Sequence, residues 1–449
     1  MDFIPNTDSD RREMLEDIGI DSLGELFSDI PGDLKVDRRL VDEKGKTELE
    51  LKDYVEKIAD RNEKPGNRVN LIGAGLYDHF IPSIVSHVTG RSEFYSAYTP
   101  YQAEISQGTL TWMFEFQTEI AELTGMDIAN SSMYDGGSSV AEAVLMAQEY
   151  LDKEKVIVSE TLNPRYRDVL ETYLPQEENQ VIELSSDEGR IDRGELDGIL
   201  STEDSIAGLV VQSPNYLGVI EDLSGLKEKL DESFLIVSSN PISLGLLEPP
   251  GSFGADVVVG EGQPLGNPIN FGGPLLGLFA TRKDYLRYLP GRVSGKTVDS
   301  EGKEGYVMAL QTREQHIKRE RATSNICTNQ ALNALAATVY LASLGPSGLG
   351  SLARINWDKA HYLADRLTDL PGIELTYDQP FFNEFAIQVP GVPADLWEKM
   401  REEGVDLLHP DHLRDAGWGD LLLIAVTEKV KKEEMDGFVD LMSREVDQE

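Results

Sequence analysis

The chain has 449 residues, of which 80 are acidic and 41 are basic, so its formal net charge is −39. Such a charge argues against nucleic acid and anionic membranes as partners, because both attract clusters of Lys and Arg. The sequence has no apolar run long enough to cross a bilayer, and its acidic N-terminus does not have the pattern of a secretory signal. A cytoplasmic protein is therefore expected.

The distribution of the charge favours a particular kind of surface. The acidic residues are scattered through otherwise globular segments and are not gathered in a tail. Concentrated salt shortens the range of charge repulsion to about 3 Å at 1 M, so a highly acidic surface is tolerated there. We therefore predict that the protein comes from a halophilic organism.

Cysteine and histidine give no sign of a metal site. Cys327 is the only cysteine, so an intrachain disulfide and a cysteine metal cluster within one chain are both excluded. None of the six histidines follows the HExxH pattern, and His409 and His412 lie three residues apart in a loop that contains proline. No metal ligand is predicted.

The N-terminal part of the chain is predicted to be helical. Residues 8–30 favour two short helices, which are too small to fold alone, and residues 50–125 continue mainly as helix with tight breaks. Alternating strands and helices follow. Short and nearly continuous apolar runs of this kind are typical of a parallel sheet that is buried on both faces, and they occupy residues 156–159, 206–212, 234–239, 256–260 and 275–281.

The order of these elements predicts an α/β protein with a mostly parallel sheet flanked by helices. After the sequence GPSG at 345–348, a helix, a strand, a second helix and a second strand follow in that order and indicate a small α+β domain. The predicted organisation is an N-terminal helical arm at 1–60, a large α/β domain at 61–345 and a small C-terminal domain at 346–449.

Three segments could carry chemistry. The sequence MYDGGSSVAEA at 133–143 places Gly136, Gly137 and Ser138 at a helix N-terminus, where backbone N–H groups and the helix dipole can bind a phosphate. The alternative is an ordinary capped helix after a glycine turn. The sequence YTPYQAEISQG at 98–108 is rich in polar and aromatic side chains and could line a pocket or form a surface turn.

The third segment, at 311–330, concentrates positive charge in a chain that is otherwise short of it. Its sequence QTREQHIKRERATSNICTNQ could hold a carboxylate or a phosphate, or could contact an acidic neighbouring surface. A solvated helix face is the usual meaning of such a run. The contrast with the rest of the chain favours a functional site or an interface.

Read in order, these segments resemble the P-protein family of the glycine cleavage system, glycine dehydrogenase (decarboxylating). The similarity is to the N-terminal half, which many bacteria and archaea make as a separate α subunit. With the charge, it suggests a halophilic archaeon. The strongest matches are YTPYQAEISQG at 98–108, PPGSFGADVVVGEGQPLG at 249–266, FGGPLLGLFAT at 271–281, LPGRVSG at 289–295 and QTREQHIKRERATSNICTNQAL at 311–332.

The resemblance implies pyridoxal-phosphate fold type I, the aminotransferase-like fold. It also implies that the lysine that binds the cofactor covalently belongs to the partner β subunit. Gln263 then stands where that lysine would be, and a neutral amide cannot form an imine. Asn240 stands where a carboxylate usually faces the pyridinium nitrogen, so the phosphate cup at residues 136–138 is vestigial and this chain alone has no catalytic residue.

The resemblance further implies an α2β2 assembly that decarboxylates glycine with pyridoxal phosphate and passes the aminomethyl group to the lipoyl arm of the H-protein. Fold-related enzymes build their active sites at subunit interfaces, so a subunit without the lysine can still donate side chains to its partner's site. The candidate contacts to substrate or cofactor across that interface are Tyr98, Tyr101, Gln102, Glu104, Thr323, Ser324 and Asn325.

Two alternatives stay open at this point. The chain could be a catalytically silent scaffold that only holds the β subunit folded. It could also be an independent pyridoxal-phosphate enzyme with an unrecognised lysine, although residues 230–280 contain no lysine and Lys283 and Lys296 lie beyond the next strand in polar surroundings.

Overall fold

The structure, a computed structural model, describes residues 6–36, 45–62, 68–95, 99–174, 180–270, 272–322, 324–326, 329–389, 395–419 and 421–446. The chain divides into two compact units, residues 1–64 and 65–449. In the first unit, helices α1 (Asp8–Ile18) and α2 (Glu48–Ala59) each begin at a threonine that forms a capping box with the acidic residue three positions later. A short 3-10 helix, Leu23–Phe27, lies between them, so residues 8–30 contain the two helices that the sequence predicts.

The second unit contains the remaining helices and all the strands of the described residues. The helices are α3 (Ser83–Thr89), α4 (Ser92–Tyr95), α5 (Gln107–Thr124), α6 (Gly136–Leu151), α7 (Pro164–Tyr173), α8 (Arg193–Thr202), α9 (Leu226–Leu230), α10 (Gln315–Lys318), α11 (Ala331–Thr368), α12 (Leu396–Glu402), α13 (Asp411–Asp415) and α14 (Lys432–Val446). The strands are β1 (Val69–Asn70), β2 (Ile128–Ala129), β3 (Lys155–Ser159), β4 (Val181–Leu184), β5 (Ser186–Asp187), β6 (Arg190–Ile191), β7 (Ile206–Gln212), β8 (Phe234–Ser238), β9 (Val257–Glu261), β10 (Gly277–Thr281), β11 (Val293–Val298), β12 (Glu304–Ala309), β13 (Glu374–Leu375), β14 (Glu384–Gln388), β15 (Val405–Asp406) and β16 (Leu421–Ala425).

A seven-stranded sheet forms the centre of the second unit, with the strand order β2-β10-β9-β8-β7-β3-β4. The strands β9, β8, β7, β3 and β4 pair in parallel, and β10 runs antiparallel to both of its neighbours. The prediction of a mostly parallel sheet is therefore confirmed. Because β8 and β9 run in the same direction, the polar residues that end them lie at the same edge of the sheet.

The sheet is buried on both faces, as its continuous apolar strands require. In β8, Leu235 and Val237 pack in one hydrophobic cluster, whereas Phe234 and Ile236 pack in another. The first cluster contains side chains of α5 and α11, and the second contains side chains of α6 and α7. Successive side chains of β8 point to opposite faces of the sheet, so one strand packs against a layer of helices on each face.

The C-terminal part of the second unit has its own antiparallel sheet, with the order β13-β14-β16. Its hydrophobic cluster includes side chains of α14 and of the second half of α11. Helix α11 is interrupted at Gly345, which has a positive φ of 60° and precedes Pro346. The division of this unit at residue 345 falls on that break and stays a prediction.

Candidate functional site

The glycine-rich loop after β9 is closed by the side chain of Gln263, which is only 1% exposed. Its Oε1 accepts a hydrogen bond from the backbone N–H of Tyr77 at 3.0 Å. Its Nε2 donates to the backbone oxygen of Tyr77 at 3.1 Å and to that of Asn267 at 2.8 Å. Both ends of the amide are thus engaged, so Gln263 fixes the loop to the segment around Tyr77.

Tyr77 is held from its other side by Glu384, which begins β14 in the C-terminal sheet. The Tyr77 hydroxyl donates to Glu384 Oε2 at 2.7 Å, and the backbone N–H of Ala74 donates to Glu384 Oε1 at 2.6 Å. Burial raises the pKa of Glu384 to about 7, and the two hydrogen bonds act in the opposite direction. Burial and the nearby Glu384 also raise the pKa of Tyr77 well above its ordinary value. The segment around Tyr77 therefore connects the C-terminal sheet to the glycine-rich loop.

A second buried carboxyl group, that of Glu261, lies at the N-terminus of α6. Its Oε2 accepts the N–H of Gly136 at 3.0 Å, and its Oε1 accepts the N–H groups of Gln263 and Leu276, each at 2.9 Å. Burial raises the pKa of Glu261 to about 8, while these three N–H donors act in the opposite direction. The site that the sequence predicts for a phosphate is thus filled by a side chain of the same chain.

The three residues predicted as a phosphate cup lie where the sequence places them, at a helix N-terminus. The sequence Ser139-Val-Ala-Glu142 has the form of a capping box and predicts a helix that begins at Val140. Helix α6 begins four residues earlier, at Gly136, because Asp135 caps it. Asp135 Oδ1 accepts the N–H of Ser138 at 2.7 Å. A β-carbon at Gly136 would lie 2.4 Å from the hydroxyl oxygen of Tyr166, so only glycine fits there. Gly137 follows in the same first turn.

Asn240 follows β8 and lines a small cavity beside these groups. Its Oδ1 accepts the N–H of Ile242 at 3.0 Å, which closes a local turn. The cavity has a volume of about 20 Å³, and its lining includes Tyr77, Tyr166 and Glu261. That volume is about enough for one water molecule. A pyridine ring with a phosphate does not fit this space as the side chains stand.

The first predicted interface segment lies at the surface. Tyr98 is outside the described residues, whereas Gln102 and Glu104 are exposed at the turn before α5. Tyr101 is 49% exposed, and its hydroxyl oxygen accepts a hydrogen bond from Arg292 Nη2 at 3.2 Å. The guanidinium carbon of Arg292 also lies 5.6 Å from the centre of the Tyr101 ring. Arg292 itself is buried and therefore fixes Tyr101 to the body of the unit.

The second predicted interface segment is described in part. Thr323 lies outside the described residues, and Ser324 Oγ accepts the N–H of Ile326 at 3.0 Å. Ser324 also hydrogen-bonds to Glu142, whose pKa is raised to about 7 by burial despite this bond. Asn325 is exposed, and its Oδ1 accepts a hydrogen bond from Gln315 Nε2 at 3.3 Å.

The two interface segments meet the same short helix. The ring of Tyr101 lies 6.0 Å from that of His316 in α10, and Asn325 contacts the preceding residue, Gln315. The described contacts of both segments run to α10, Arg292 and Glu142, whereas Gln263 and Asn240 belong to the cluster around the glycine-rich loop. The candidate residues therefore form two groups: the interface segments near α10, and Gln263 with Asn240 near the glycine-rich loop.

Sequence reasoning missed the buried carboxyl groups of this site and their tyrosine partners. A signal for Glu261 existed, since a charged residue that ends a fully apolar strand needs hydrogen-bond donors when it is buried. Asp135 before Gly-Gly-Ser is also a standard helix N-cap pattern. The contacts of Glu384 and Tyr166 depend on residues far apart in the sequence, and no local pattern indicates them.

Superposition on solved structures identifies the class of fold to which the chain belongs. The chain superimposes on sphingosine-1-phosphate lyase from Burkholderia pseudomallei with a TM-score of 0.68 at 15% identity, covering 91% of this chain and 92% of that chain. It superimposes on a crystal structure of glycine decarboxylase (P-protein) of the glycine cleavage system, in inhibitor-bound form, with a TM-score of 0.87 at 38% identity, covering 99% and 100%. The predicted pyridoxal-phosphate fold type I is thus confirmed.

The family is also shown by sequence. Residues 1–442 match the family described as glycine cleavage system P-protein. A relative from Oceanobacillus iheyensis, a probable glycine dehydrogenase (decarboxylating) subunit 1, is 46% identical over 440 residues, or 97% of each chain. The chain therefore belongs to the P-protein family of the glycine cleavage system. Within the described part of the chain, every helix is too short or too polar to span a lipid bilayer.

Proposed function

We propose that this chain is the α subunit of a cytoplasmic glycine decarboxylase, and that it acts with a β subunit in an α2β2 assembly. Its similarity to relatives called subunit 1 supports the existence of a second subunit. In this assembly the β subunit holds pyridoxal phosphate covalently, and the aminomethyl group from glycine passes to the lipoyl arm of the H-protein. The bound cofactor supplies the electron sink for decarboxylation.

The observation that carries this proposal is the state of Gln263. The glycine-rich loop has no lysine, and the amide that takes its place is buried and bonded at both ends to backbone groups of Tyr77 and Asn267. A side chain in this state contributes to the packing of its own chain. It supports a role in which the imine-forming lysine comes from the partner.

The lysines that could support an independent enzyme are in unsuitable surroundings. Lys296 is half-exposed, its Nζ lies 2.7 Å from Glu304 Oε1, and that pairing raises the lysine pKa. A raised pKa keeps the amine protonated, which opposes imine formation. Lys283 is exposed at the start of a 3-10 turn after β10. Both observations favour a subunit that depends on its partner.

In the proposed assembly this chain completes the partner's site with two polar segments. Tyr98, Tyr101, Gln102 and Glu104 approach the glycine and lipoyl end, and Thr323, Ser324 and Asn325 approach the cofactor phosphate. Small hydroxyl and amide groups can bond to phosphate oxygens without crowding. Tyr101 of the first segment and Asn325 of the second both contact α10, which supports their acting at one surface.

Replacing Tyr101 with phenylalanine tests this contribution. The change removes the hydroxyl group that contacts Arg292 and leaves the ring in place. In the proposed assembly the Tyr101 hydroxyl group also bonds to a charged group at the glycine end of the partner's site. Losing such a bond in the transition state costs about 1.5 to 3 kcal/mol, so glycine decarboxylation by the assembled enzyme should slow at least about tenfold. The rate is measured as glycine-dependent release of carbon dioxide with both subunits and the H-protein present.

Tyr362→Phe is the matched control, because the Tyr362 hydroxyl oxygen also accepts a hydrogen bond from a cation, Lys432 Nζ at 2.7 Å, and this pair joins helices α11 and α14. Size-exclusion chromatography should show that both variants still assemble, since neither change removes much buried area. If the Tyr101 variant assembles and works at the parental rate, the silent scaffold becomes the better description. If the unmodified assembly releases no carbon dioxide from glycine, the proposed function is wrong.

We also propose that the acidic surface is an adaptation to a halophilic, archaeal source. Lowering KCl from about 2 M to 0.1 M lengthens the screening distance to about 10 Å and exposes the net charge of −39 to self-repulsion. The melting temperature of the isolated chain should therefore fall, as measured by calorimetry. NaCl at equal concentration should act alike if screening is the cause, and an unchanged melting temperature would contradict the adaptation.

A further inference from the structure

Three backbone N–H groups at the N-terminus of α6 form a cradle that could hold an external anion, and the Glu261 carboxyl group occupies it. We infer that Glu261 thereby closes this cradle to phosphate and to pyridoxal phosphate. The cradle consists of the backbone N–H groups of Gly136, Gln263 and Leu276. The inference depends on the proposed function only for the choice of pyridoxal phosphate as a ligand. Exclusion of inorganic phosphate depends on the geometry alone.

The carboxyl group fills the cradle with short and complementary contacts. The three N–H···O distances are 3.0, 2.9 and 2.9 Å, and they come from a helix, a loop and the segment that leads into β10. Glu261 is 6% exposed, so water does not compete for these donors. An external oxygen cannot bond to the same N–H groups while the carboxyl group remains there.

A second carboxylate uses another donor of the same helix turn. Asp135 Oδ1 accepts the N–H of Ser138 at 2.7 Å. The ring of Tyr166 lies against Gly136, where even a β-carbon would be 2.4 Å from its hydroxyl oxygen. Asp135 therefore occupies only the N–H of Ser138, and Glu261 is the carboxyl group that fills the three N–H donors of the cradle.

Gln263 helps to hold this arrangement. Its backbone N–H bonds to Glu261, while its side-chain amide bonds to Tyr77 and Asn267. The residue at the predicted lysine position thus supports the internal carboxyl group. Gln263, which replaces the lysine, and Glu261, which fills the phosphate position, are therefore joined by a hydrogen bond.

Exclusion does not require Glu261 to be ionised. Burial raises the pKa of Glu261 to about 8, so its protonation changes near neutral pH. Its oxygens occupy the cradle in either state, because the side chain and its donors are buried in place. The cradle is therefore expected to exclude phosphate on both sides of that pH.

Replacing Glu261 with alanine tests the inference by opening the cradle. Melting temperatures are measured for the full chain in phosphate and in chloride at equal ionic strength. The parental chain should melt at the same temperature in both buffers. The variant should melt at least about 3 °C higher in saturating phosphate, because a ligand that binds only the folded state stabilises it.

Glu221→Ala is the matched control. Glu221 is also buried and accepts the N–H of Ile191 at 3.3 Å, but it lies away from the start of α6. Phosphate should not stabilise this variant more than it stabilises the parental chain. Glu261→Ser is a milder opening of the cradle and should show the same gain as the alanine variant.

Several results would overturn the inference. Saturable stabilisation of the parental chain by phosphate would show that the cradle is open. Equal responses of the Glu261 and Glu221 variants would show that removal of Glu261 creates no anion site. If the Glu261 variants are insoluble when produced, they are refolded in phosphate and in chloride. A higher yield of folded protein in phosphate supports the inference, and an equal or zero yield in both buffers overturns it.

The choice of ligand separates this inference from the proposed function. If inorganic phosphate binds to the parental chain and no lysine imine forms with pyridoxal phosphate, only the closed cradle is wrong. If the parental chain forms a stoichiometric lysine imine, which absorbs in the visible range, the proposed division of labour is wrong as well.

Discussion

Replacing Gln263 with leucine is expected to lower the free energy of unfolding of the isolated chain by about 4 kcal/mol. Leucine cannot accept the Tyr77 N–H or donate to the backbone oxygens of Tyr77 and Asn267, and both of these residues are buried. Each buried group left without a partner costs about 1 to 3 kcal/mol. The effect is measured by urea unfolding at constant high salt.

Gln102→Leu is the control for this prediction, because it makes the same chemical change at an exposed position. Surface substitutions of this kind usually change stability by no more than about 0.5 kcal/mol. If the Gln263 variant is as stable as the Gln102 variant, the amide does not hold the loop, and the interpretation of the site as a structural lock fails.

Much of the fold follows from local sequence patterns. The apolar runs at 206–212 and 234–239 correspond to β7 and β8, because a parallel strand buried on both faces needs continuous apolar residues. The run at 256–260 is displaced by one residue, since β9 ends at Glu261. The strand therefore includes Glu261, which a prediction based on apolar residues alone leaves outside it.

The candidate site is less accessible to sequence reasoning because its bonds join distant residues. Gln263 contacts Tyr77 across 186 positions, and Glu384 contacts Tyr77 across 307 positions. Local periodicity has no information at such separations. A family motif identifies the position of Gln263, whereas its hydrogen-bond partners follow only from the fold.

The helix start at α6 shows a different limit. The pattern Ser139-Val-Ala-Glu142 has the form of a capping box, but Asp135 and Ser138 form the actual one. Both patterns are chemically sound caps, and the fold uses the earlier one because Gly136 must reach Glu261. Tertiary contacts therefore selected between two locally acceptable starts.

Pyridoxal phosphate is expected to be retained by the β subunit and not by this chain. Gln263 cannot form an imine, and the cavity beside Asn240 and Glu261 is about 20 Å³ in volume. The isolated chain should therefore retain no covalently bound pyridoxal phosphate. The assembled enzyme should retain one cofactor for each β subunit, so the difference between the two samples is all or none.

The measurement that tests this division of labour most directly is borohydride reduction followed by peptide mapping. The chain alone and the chain assembled with its second subunit are each incubated with pyridoxal phosphate, reduced and digested. The predicted result is a single pyridoxyl-lysine peptide from the second subunit and none from this chain in either sample. A stoichiometric pyridoxyl-lysine in this chain, at Lys283, Lys296 or any other position, would contradict it.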